Sequence, residues 1–381
     1  MKIGMMTDTF LPKTGGGEIH VLELSRALRE MENEVQICTG CNGADLIDGF
    51  KITRLPNLSN GNFKSVLHSF LYQNSLYSFV RSVDVLHCHY SYLFAALGVF
   101  WGKILNKPII VTLHGLGTLD SSVHNSPLRK FYRQFSLRNA NKIIATSDEM
   151  KSIACRYTSP DKVTVIPNGV DTTKFSNNSS CNLQKPNIIV LAMRRLVPKN
   201  GVQYLIDAAP KIIENIPNIK LVIAGEGRIN EYLRERVKLL HIEKYIDFVG
   251  MIPHEKTREY YDLADVVVFP SSAESTSLAC LEAMSMKKAV VASELEPYKQ
   301  LLGNNQRGLL VNLFDRTTSD YDAPLILSPQ KIEQLADRVI QLAHDDVLRK
   351  NFGLAAREFV LKKYDWKIIA QDVLNVYLSK N

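Results

Sequence analysis

Short runs of β-branched and other apolar residues alternate with longer amphipathic stretches along almost the whole chain. In the first half, the runs that predict strands are KIGMMT, EVQICT, KITRLP, VDVLHC, PIIVTLH, KIIATS and VTVIP. Helical periodicity near 17–32, 63–81, 92–105, 127–140 and 147–157 separates most of these runs. Such alternation is typical of parallel sheets built from right-handed βαβ units.

The pattern is interrupted once, at residues 172–187, a polar stretch without periodicity that we interpret as a linker. It resumes with the strand candidates NIIVLAM, IKLVIAG, IDFVG, DVVVFP, AVVAS and RGLLV, and a last helix is predicted near 366–379. We therefore predict an α/β protein with two doubly wound, Rossmann-like domains. The predicted bounds are 1–175 and 176–364, with a C-terminal helix at 365–381 that returns to the first domain. Ligands of such sheets bind outside the carboxyl ends of the strands.

Composition narrows the class of protein further. The chain has 381 residues, 45% apolar and 22% charged, which is ordinary for a folded globular protein. Polar Thr7 and Asp8 stand where a signal peptide would continue its apolar run, and the longest apolar stretch, 92–105, is too short to span a bilayer. Six scattered cysteines suggest reduced thiols, so we expect a cytoplasmic protein.

The charge is positive and uneven. The net charge is +7, and residues 1–175 hold 19 basic against 14 acidic residues. The stretch 127–156 is the most basic part, and it predicts either a solvated helix face or a surface for an anionic acceptor or membrane. No nucleic-acid partner is expected, because basic residues are not interleaved with stacking aromatic residues. The oligomeric state is left open by the sequence.

The segment PSSAESTSLACLEAM, residues 270–284, carries the sharpest local signal. A strand ends at Pro270, a serine-rich turn follows, and a helix is predicted from about Ser277 with Ser275 or Thr276 as its N-cap. Unpaired backbone N–H groups at a helix start form a cradle for a diphosphate.

Two glutamates flank that helix start. Glu282 lies among apolar and small residues, so its carboxylate needs a hydrogen-bonding partner. Two alternatives stay open: the 2′,3′-diol of a ribose, or an arginine or lysine elsewhere in the chain. Glu274 lies in the preceding loop and either projects into the cleft or is simply solvated.

Glu274 and Glu282, separated by seven residues, resemble the donor-site signature of the retaining GT-B glycosyltransferases of family 4. Four other segments resemble the family in the same order: FLPKTGGGEIHVLELSRAL, PNGVDTTKF, MRRLVPKNGVQYLIDAA and AGEGR. The resemblance covers essentially the whole chain. It implies the GT-B architecture, in which two Rossmann-like domains face a central cleft.

The resemblance also implies residue roles on the donor side. Glu282 would hold the nucleotide ribose, and Glu274 would contact hydroxyls of the donor sugar. Arg195 would bind the diphosphate and offset charge on the leaving group. The family's partner lysine falls on Asn200, with Lys199 one residue earlier, so either of them could contact the phosphate. The remaining donor-side residues are Gly225 in the AGEGR turn and the main-chain amides of Ser275, Thr276, Ser277 and Leu278.

The first domain contributes a histidine and a glycine-rich loop. His114 ends a predicted strand and resembles the family's active-site histidine, which contacts the donor sugar. Gly16 and Gly17 belong to a loop that lies near the donor phosphate in family members; a plain tight turn is the alternative. The loop is not a dinucleotide fingerprint, because GGGEIH departs from G-x-G-x-x-G.

We expect no metal site. Cys38-x-x-Cys41 lacks a second pair at zinc spacing, and we interpret Asp320-Tyr321-Asp322 as a chance match in a polar loop. His87-x-His89 ends a strand and could form a metal pair. Because no third ligand is apparent from the sequence, His89 is predicted to line the cleft instead.

The predicted reaction moves a hexose or N-acetylhexosamine from a UDP- or GDP-sugar to an acceptor hydroxyl, with retention and by a front-face path. The nucleotide sugar is a co-substrate, no cofactor is expected, and metal is not required. Glycans, lipid carriers and small metabolites all remain open as acceptors. The alternatives are a sugar-nucleotide 2-epimerase or a phosphorylase on the same fold, and a non-catalytic sugar-nucleotide-binding protein.

Overall fold

The computed structural model describes residues 1–12, 15–56, 58, 63–115, 127–176, 187–314 and 326–379. The chain divides into two compact units, which we call unit 1 (1–169 with 366–381) and unit 2 (170–365). The unit boundaries therefore lie at 169/170 and 365/366, whereas the sequence predicts them at 175/176 and 364/365. Residues 320–322 lie outside the described ranges.

Unit 1 is built on one sheet of eight strands, whose spatial order is β3-β4-β2-β1-β5-β6-β7-β8. All pairings are parallel except that of β3 with β4, which is antiparallel. The strands are β1 (Lys2–Thr7), β2 (Glu34–Thr39), β3 (Leu46–Ile47), β4 (Phe50–Arg54), β5 (Val85–His89), β6 (Ile109–Leu113), β7 (Lys142–Ala145) and β8 (Val163–Val165).

Seven helices accompany this sheet: α1 (Gly16–Glu30), α2 (Phe63–Leu71), α3 (Gln73–Ser82), α4 (Leu93–Ile104), α5 (Pro127–Asn139), α6 (Asp148–Ala154) and α14 (Trp366–Leu378). The C-terminal helix α14 shares an apolar core with α1, through Trp366 and Tyr377 on one side and Leu24 and Leu28 on the other. The chain end therefore belongs to unit 1.

Unit 2 is built on a wholly parallel sheet of six strands in the order β11-β10-β9-β12-β13-β14. The strands are β9 (Ile188–Met193), β10 (Ile219–Ala224), β11 (Ile246–Gly250), β12 (Val266–Phe269), β13 (Ala289–Ser293) and β14 (Leu309–Val311). The helices are α7 (Val202–Asn215), α8 (Asn230–Leu239), α9 (Thr257–Leu263), α10 (Leu278–Ser285), α11 (Glu296–Leu302), α12 (Pro329–His344) and α13 (Asp346–Lys363).

Both faces of the unit 2 sheet are covered, which explains why its strands are continuous apolar runs. Along β12, Val266 and Val268 enter one buried cluster with α7 and α12, and Val267 and Phe269 enter another with α10 and α13. Because successive side chains of a strand point to opposite faces of the sheet, each strand contributes residues to both buried clusters. No described helix has both the length and the apolar content to cross a membrane.

The strand predictions from sequence are confirmed at all thirteen positions, and within the described ranges the two-residue β3 is the only strand that was missed. The linker prediction is wrong for its first residues. Phe175 is 1% exposed in the core of unit 2, and the Arg357 guanidinium donates to the carbonyl oxygens of Thr172 and Phe175. Composition does not reveal this packing, because residues 172–176 are polar except for Phe175, whose ring is buried in the core.

Candidate functional site

Each sheet has one switch point, where two neighbouring strands are not consecutive in the chain and the strand order runs outward in both directions. Residues predicted to bind the donor follow the strands at these points. In unit 2 this point lies between β9 and β12, which are neighbours although they are not consecutive. Arg194 and Arg195 follow the end of β9, and Glu274 follows the end of β12. Ligands of open α/β sheets bind at such switch points, so the predicted donor residues stand where the topology expects them.

The turn after β12 differs from the prediction in its cap. Ser277, not Ser275 or Thr276, is the N-cap of α10: its backbone is extended, and its hydroxyl accepts from the Cys280 N–H at 3.3 Å. The main-chain N–H of Ser275 instead donates to Glu274 Oε1 at 3.1 Å. The first amides of α10 have no acceptor within the helix, as in the first turn of any helix.

Glu282 lies inside α10, and the whole residue is 7% exposed. Its carboxylate has two protein partners: His254 Nε2 lies 2.9 Å from Oε1, and the Tyr261 hydroxyl donates to Oε2 at 3.0 Å. Lys174 Nζ lies 3.1 Å from His254 Nδ1. Because an ammonium group only donates, Nδ1 accepts and Nε2 carries the proton that it donates to Glu282.

The partners of Glu282 answer part of the question left open by the sequence. Neither is an arginine or a lysine, and each carboxylate oxygen, with two lone pairs, can accept one more hydrogen bond. The aromatic ring of Phe175 packs against the rings of His254 and Tyr261, at centroid distances of 5.8 and 6.1 Å. The segment expected to be a linker therefore supports this carboxylate.

Arg194 is the residue that the sequence analysis missed. Its side chain is 8% exposed and its guanidinium forms a 2.6 Å ion pair with Glu274 Oε2. The same guanidinium donates to Ser277 Oγ at 3.0 Å and Asn200 Oδ1 at 3.1 Å. Arg195, which the family resemblance singled out, is exposed. The two arginines are adjacent in the sequence, and only the fold shows that Arg194 is the one paired with Glu274.

The ion pair with Arg194 keeps the Glu274 carboxyl ionised. Burial by itself would raise the pKa of this carboxyl, but the positive charges of Arg194 and Lys199 and the hydrogen bond from Arg194 outweigh burial and lower it below the usual value. Glu274 is therefore a carboxylate at neutral pH, held at both oxygens by Arg194 and the Ser275 amide.

Asn200 and Lys199 have different surroundings. Asn200 is 4% exposed; its side-chain oxygen accepts from Arg194 and its Nδ2 donates to the Arg195 carbonyl at 2.8 Å. Lys199 is half-buried, and its carbonyl oxygen accepts from the Ser272 N–H at 2.8 Å. Asn200 thus hydrogen-bonds to both arginines, and Lys199 adds a second positive charge that acts on Glu274.

Gly225 follows β10 at a close approach of two chain segments. Its φ is +141°, and a Cβ there would lie 1.9 Å from the carbonyl oxygen of Arg194. Any side chain would displace the Arg194 segment, so glycine at 225 is needed for the position of that arginine.

The glycine-rich loop of unit 1 leads directly into α1. Gly16 is the first residue of the helix, and a Cβ on Gly17 would lie 1.8 Å from the hydroxyl oxygen of Tyr90. The side chain of Glu18, at the helix start, accepts a hydrogen bond from the Thr9 hydroxyl. The absence of side chains at this loop therefore allows Tyr90 to approach the helix closely.

Three histidines meet in unit 1, which the sequence did not anticipate. His89 ends β5, His114 follows β6, and His20 lies in α1; the His89 Nδ1 and His114 Nε2 atoms are 2.9 Å apart. The ring centroids of His20 and His114 are 4.6 Å apart. The sequence shows no third ligand for His89, whereas in the structure helix α1 brings His20 to the ends of these strands.

Burial keeps these imidazoles neutral. Desolvation lowers the pKa of His20 to about 4, and it also lowers the pKa of His89 and His114, together with the charges of neighbouring histidines. Beside them, both nitrogens of His87 have partners, the Tyr377 hydroxyl and Thr112 Oγ1, each at 2.6 Å.

Two Rossmann-like units, each built on a largely parallel, doubly wound sheet, are the architecture of the GT-B class of enzymes. The family comparison agrees: residues 14–174 match Glycosyltransferase Family 4, and residues 174–359 match Glycosyl transferases group 1. The chain belongs to this glycosyltransferase family and is a transferase.

Individual relatives extend over the full chain. An uncharacterized glycosyltransferase of Methanocaldococcus jannaschii is 28% identical, over 99% of this chain and 98% of its own length. The phosphatidyl-myo-inositol mannosyltransferase of Mycobacterium tuberculosis is 25% identical, over 99% of this chain and 96% of its own. The solved structure of Anabaena HepE with UDP and glucose has a TM-score of 0.78 at 19% identity and covers 98% of both chains, a likeness of fold.

Proposed function

We propose that the protein transfers a hexose or N-acetylhexosamine from a UDP- or GDP-sugar to an acceptor hydroxyl, with retention of anomeric configuration. The observation that carries the proposal is the arrangement around α10. A buried carboxylate with spare acceptor capacity, a helix start whose first amides have no acceptor within the helix, and an ion-paired second carboxylate all lie within one turn and one helix of unit 2.

The donor would lie along this turn in a defined order. Glu282 accepts from the ribose 2′- and 3′-hydroxyls, the first amides of α10 face the diphosphate, and Glu274 contacts hydroxyls of the sugar. Arg195 and Lys199 supply positive charge for the departing diphosphate. For unit 1, the family resemblance assigns His114 to the donor sugar and Gly16 and Gly17 to the phosphate, and these roles stay predictions.

A front-face path fits the state of Glu274 better than a covalent one. Both carboxylate oxygens are already held, one by the Arg194 guanidinium and the other by the Ser275 amide, and the ion pair lowers the carboxyl pKa. Both effects reduce nucleophilicity. The protein then contributes positioning and electrostatic stabilisation, and the leaving phosphate accepts the acceptor's proton. This path uses no cofactor.

The donor assignment is tested by a thermal-shift screen of the whole protein against UDP, GDP and their common sugar conjugates. A ligand that binds only the folded state raises the midpoint temperature, and a concentration of 100 times Kd adds about 2.7 kcal/mol of stability. We expect one nucleotide series to shift the midpoint by several degrees. No shift with any nucleotide would contradict donor binding.

Product analysis with the selected donor, labelled in its sugar, then separates the reactions. A transferase consumes donor only as the acceptor gains sugar, and NMR of the product should show the donor's anomeric configuration. Conversion to an epimer without any acceptor would favour the 2-epimerase alternative. A stable complex without turnover or slow hydrolysis would favour a non-catalytic binding protein.

For the acceptor, we propose a lipid carrier presented at an anionic membrane surface. The mannosyltransferase relative is named for a phosphatidyl-myo-inositol acceptor. In this chain, helices α2 and α5 pack on α4 through Val66 and Phe135, and both leave large apolar side chains exposed. Phe70 is 70% exposed, Leu71 75% and Phe131 60%.

The charge beside these apolar residues supports the same partner. Lys130 and Arg138 of α5 are exposed, in the basic stretch 127–156. Exposed aromatic residues next to cations are typical of surfaces that lie at an anionic lipid interface, because the rings enter the headgroup region while the cations remain with the phosphates.

The Phe70→Ser/Phe131→Ser double variant is expected to bind phosphatidylglycerol-containing vesicles at least about tenfold more weakly, because burial of each ring contributes about 1.5–3 kcal/mol. Vesicle co-sedimentation measures the effect. The matched control is Leu239→Ser, since Leu239 is equally exposed at 71% but lies in unit 2. Equal vesicle binding by the double variant and by Leu239→Ser would contradict the proposed membrane surface. Equal binding of the wild type to neutral and to anionic vesicles would contradict it as well.

A further inference from the structure

The three histidines of unit 1 have the composition of a metal site that the proposed reaction does not use. One ring nitrogen of each of His20, His89 and His114 lies within 4.8 Å of those of the other two. They come from α1, β5 and the residue after β6, so three separate elements converge on one point.

His20 supplies the independent observation that points to a ligand. It is 2% exposed, its Nδ1 lies 2.8 Å from Asn168 Oδ1, and its Nε2 has no hydrogen-bond partner among the described residues. Because the amide oxygen only accepts, Nδ1 carries the proton, and Nε2 presents a lone pair. A buried polar atom without a hydrogen-bond partner destabilises the fold, and a metal ion would satisfy it.

The surrounding contacts resemble those that orient imidazole ligands elsewhere. A metal-bound histidine usually directs its second ring nitrogen to a hydrogen-bond acceptor, which fixes the ring. Asn168 does this for His20, and Met5 Sδ lies 3.4 Å from His89 Nε2. The edge of the Trp366 ring system packs against His20 at a centroid distance of 5.2 Å, so the ring is also held by packing.

We propose that His20 Nε2, His89 Nδ1 and His114 Nε2 bind one divalent transition-metal ion of the zinc class. Three imidazole nitrogens with a fourth position left to water are a known zinc ligand set, with Zn–N distances of about 2.0–2.1 Å. To reach a tetrahedral N···N spacing of about 3.3 Å, the 2.9 Å separation of His89 Nδ1 and His114 Nε2 would open by a few tenths of an ångström, and the longer separations in the cluster, up to 4.8 Å, would close. Because the Met5 sulfur only accepts, His89 carries its proton on Nε2, and its Nδ1 accepts from His114 Nε2. Metal binding at His114 Nε2 would move that proton to His114 Nδ1.

The test needs no glycosyl transfer, so its result is independent of the proposed function. Untagged protein is stripped with a chelator, and Zn²⁺ is added in a thermal-shift and mass-spectrometric metal analysis. We expect one equivalent of Zn²⁺ to remain after gel filtration and to raise the midpoint temperature. Co²⁺ should give the visible bands of a four- or five-coordinate site without thiolate charge transfer, which excludes the cysteines as ligands.

His20→Phe should reduce retained metal from one equivalent to below about one tenth, because a three-histidine site loses a third of its protein ligands. The control is His87→Phe, which removes a buried neighbour whose two nitrogens are already bonded to Thr112 and Tyr377; it should retain the metal. The proposal is overturned if the stripped wild type binds no Zn²⁺ at micromolar concentration, or if His20→Phe retains a full equivalent. The wild-type measurement decides even if a variant does not fold.

Discussion

Replacing Arg194 with methionine is expected to lower the free energy of unfolding by about 3–5 kcal/mol, because it leaves the carboxylate of Glu274 buried without its counter-ion. The side chains of the pair are 8% and 15% exposed, so water cannot take over the role of the guanidinium. We also expect kcat/KM to fall by about 100-fold or more, the size of the loss when one positioned electrostatic group is removed from an active site. Chemical denaturation followed by circular dichroism, together with steady-state kinetics, measures both effects.

A second substitution separates the two effects. In the Arg194→Met/Glu274→Gln double variant the unpaired charge is gone, so most of the stability should return while activity stays low. The matched control is Arg195→Met, one residue along the chain and exposed. It should leave stability nearly unchanged and lower kcat if Arg195 faces the leaving diphosphate. An Arg194→Met protein with normal stability would show that the ion pair is not formed.

Glu282→Ala is expected to raise the donor KM by about 100-fold or more, because two hydrogen bonds from ribose to a charged acceptor are lost, each worth about 1.5–3 kcal/mol. Glu282→Gln keeps the size of the side chain, so it controls for misfolding of the alanine variant. We expect it to raise the donor KM less than Glu282→Ala does. Titration of the nucleotide alone, by calorimetry, gives the same information without turnover.

Tyr261→Phe is the matched control for Glu282. It removes the hydroxyl that donates to Oε2 at 3.0 Å but keeps the carboxylate and the ring. We expect a KM change of only a few-fold, together with some loss of stability, since burial and Glu282 both raise the pKa of Tyr261 and keep it a donor. Unchanged nucleotide affinity in Glu282→Ala would remove the ribose assignment and leave this carboxylate as a structural partner of His254 and Tyr261.

The sequence predicted the donor turn because its signals are local. The apolar run of β12, the serine-rich turn and the apolar surroundings of Glu282 are all contained in residues 265–286. The structure agrees that Glu282 is buried and that α10 starts beside it. The cap itself was misplaced by one or two residues, because three of the four residues 275–278 are serine or threonine and all can cap a helix.

The partners of that carboxylate could not be predicted in the same way. His254 and Tyr261 precede Glu282 by 28 and 21 residues and lie in or beside a different helix, and Phe175 comes from a stretch that composition marks as a linker. Nothing in the periodicity of those segments indicates which side chain meets which. The contact of His20 with His89 and His114 could not be predicted either, because the three residues lie far apart in the sequence.

By itself, the sequence determined that this protein has two largely parallel sheets covered by helices, where nearly every strand lies, and which turn bears the paired glutamates. These features follow from the local alternation of apolar and polar residues and from turn chemistry, both of which act over a few residues. Only the tertiary structure decided that Arg194 rather than Arg195 is paired with Glu274, and that three histidines share one site. Such choices depend on the twist and register of strands far apart in the chain, because a shift of one residue in register turns every side chain of a strand to the opposite face of its sheet.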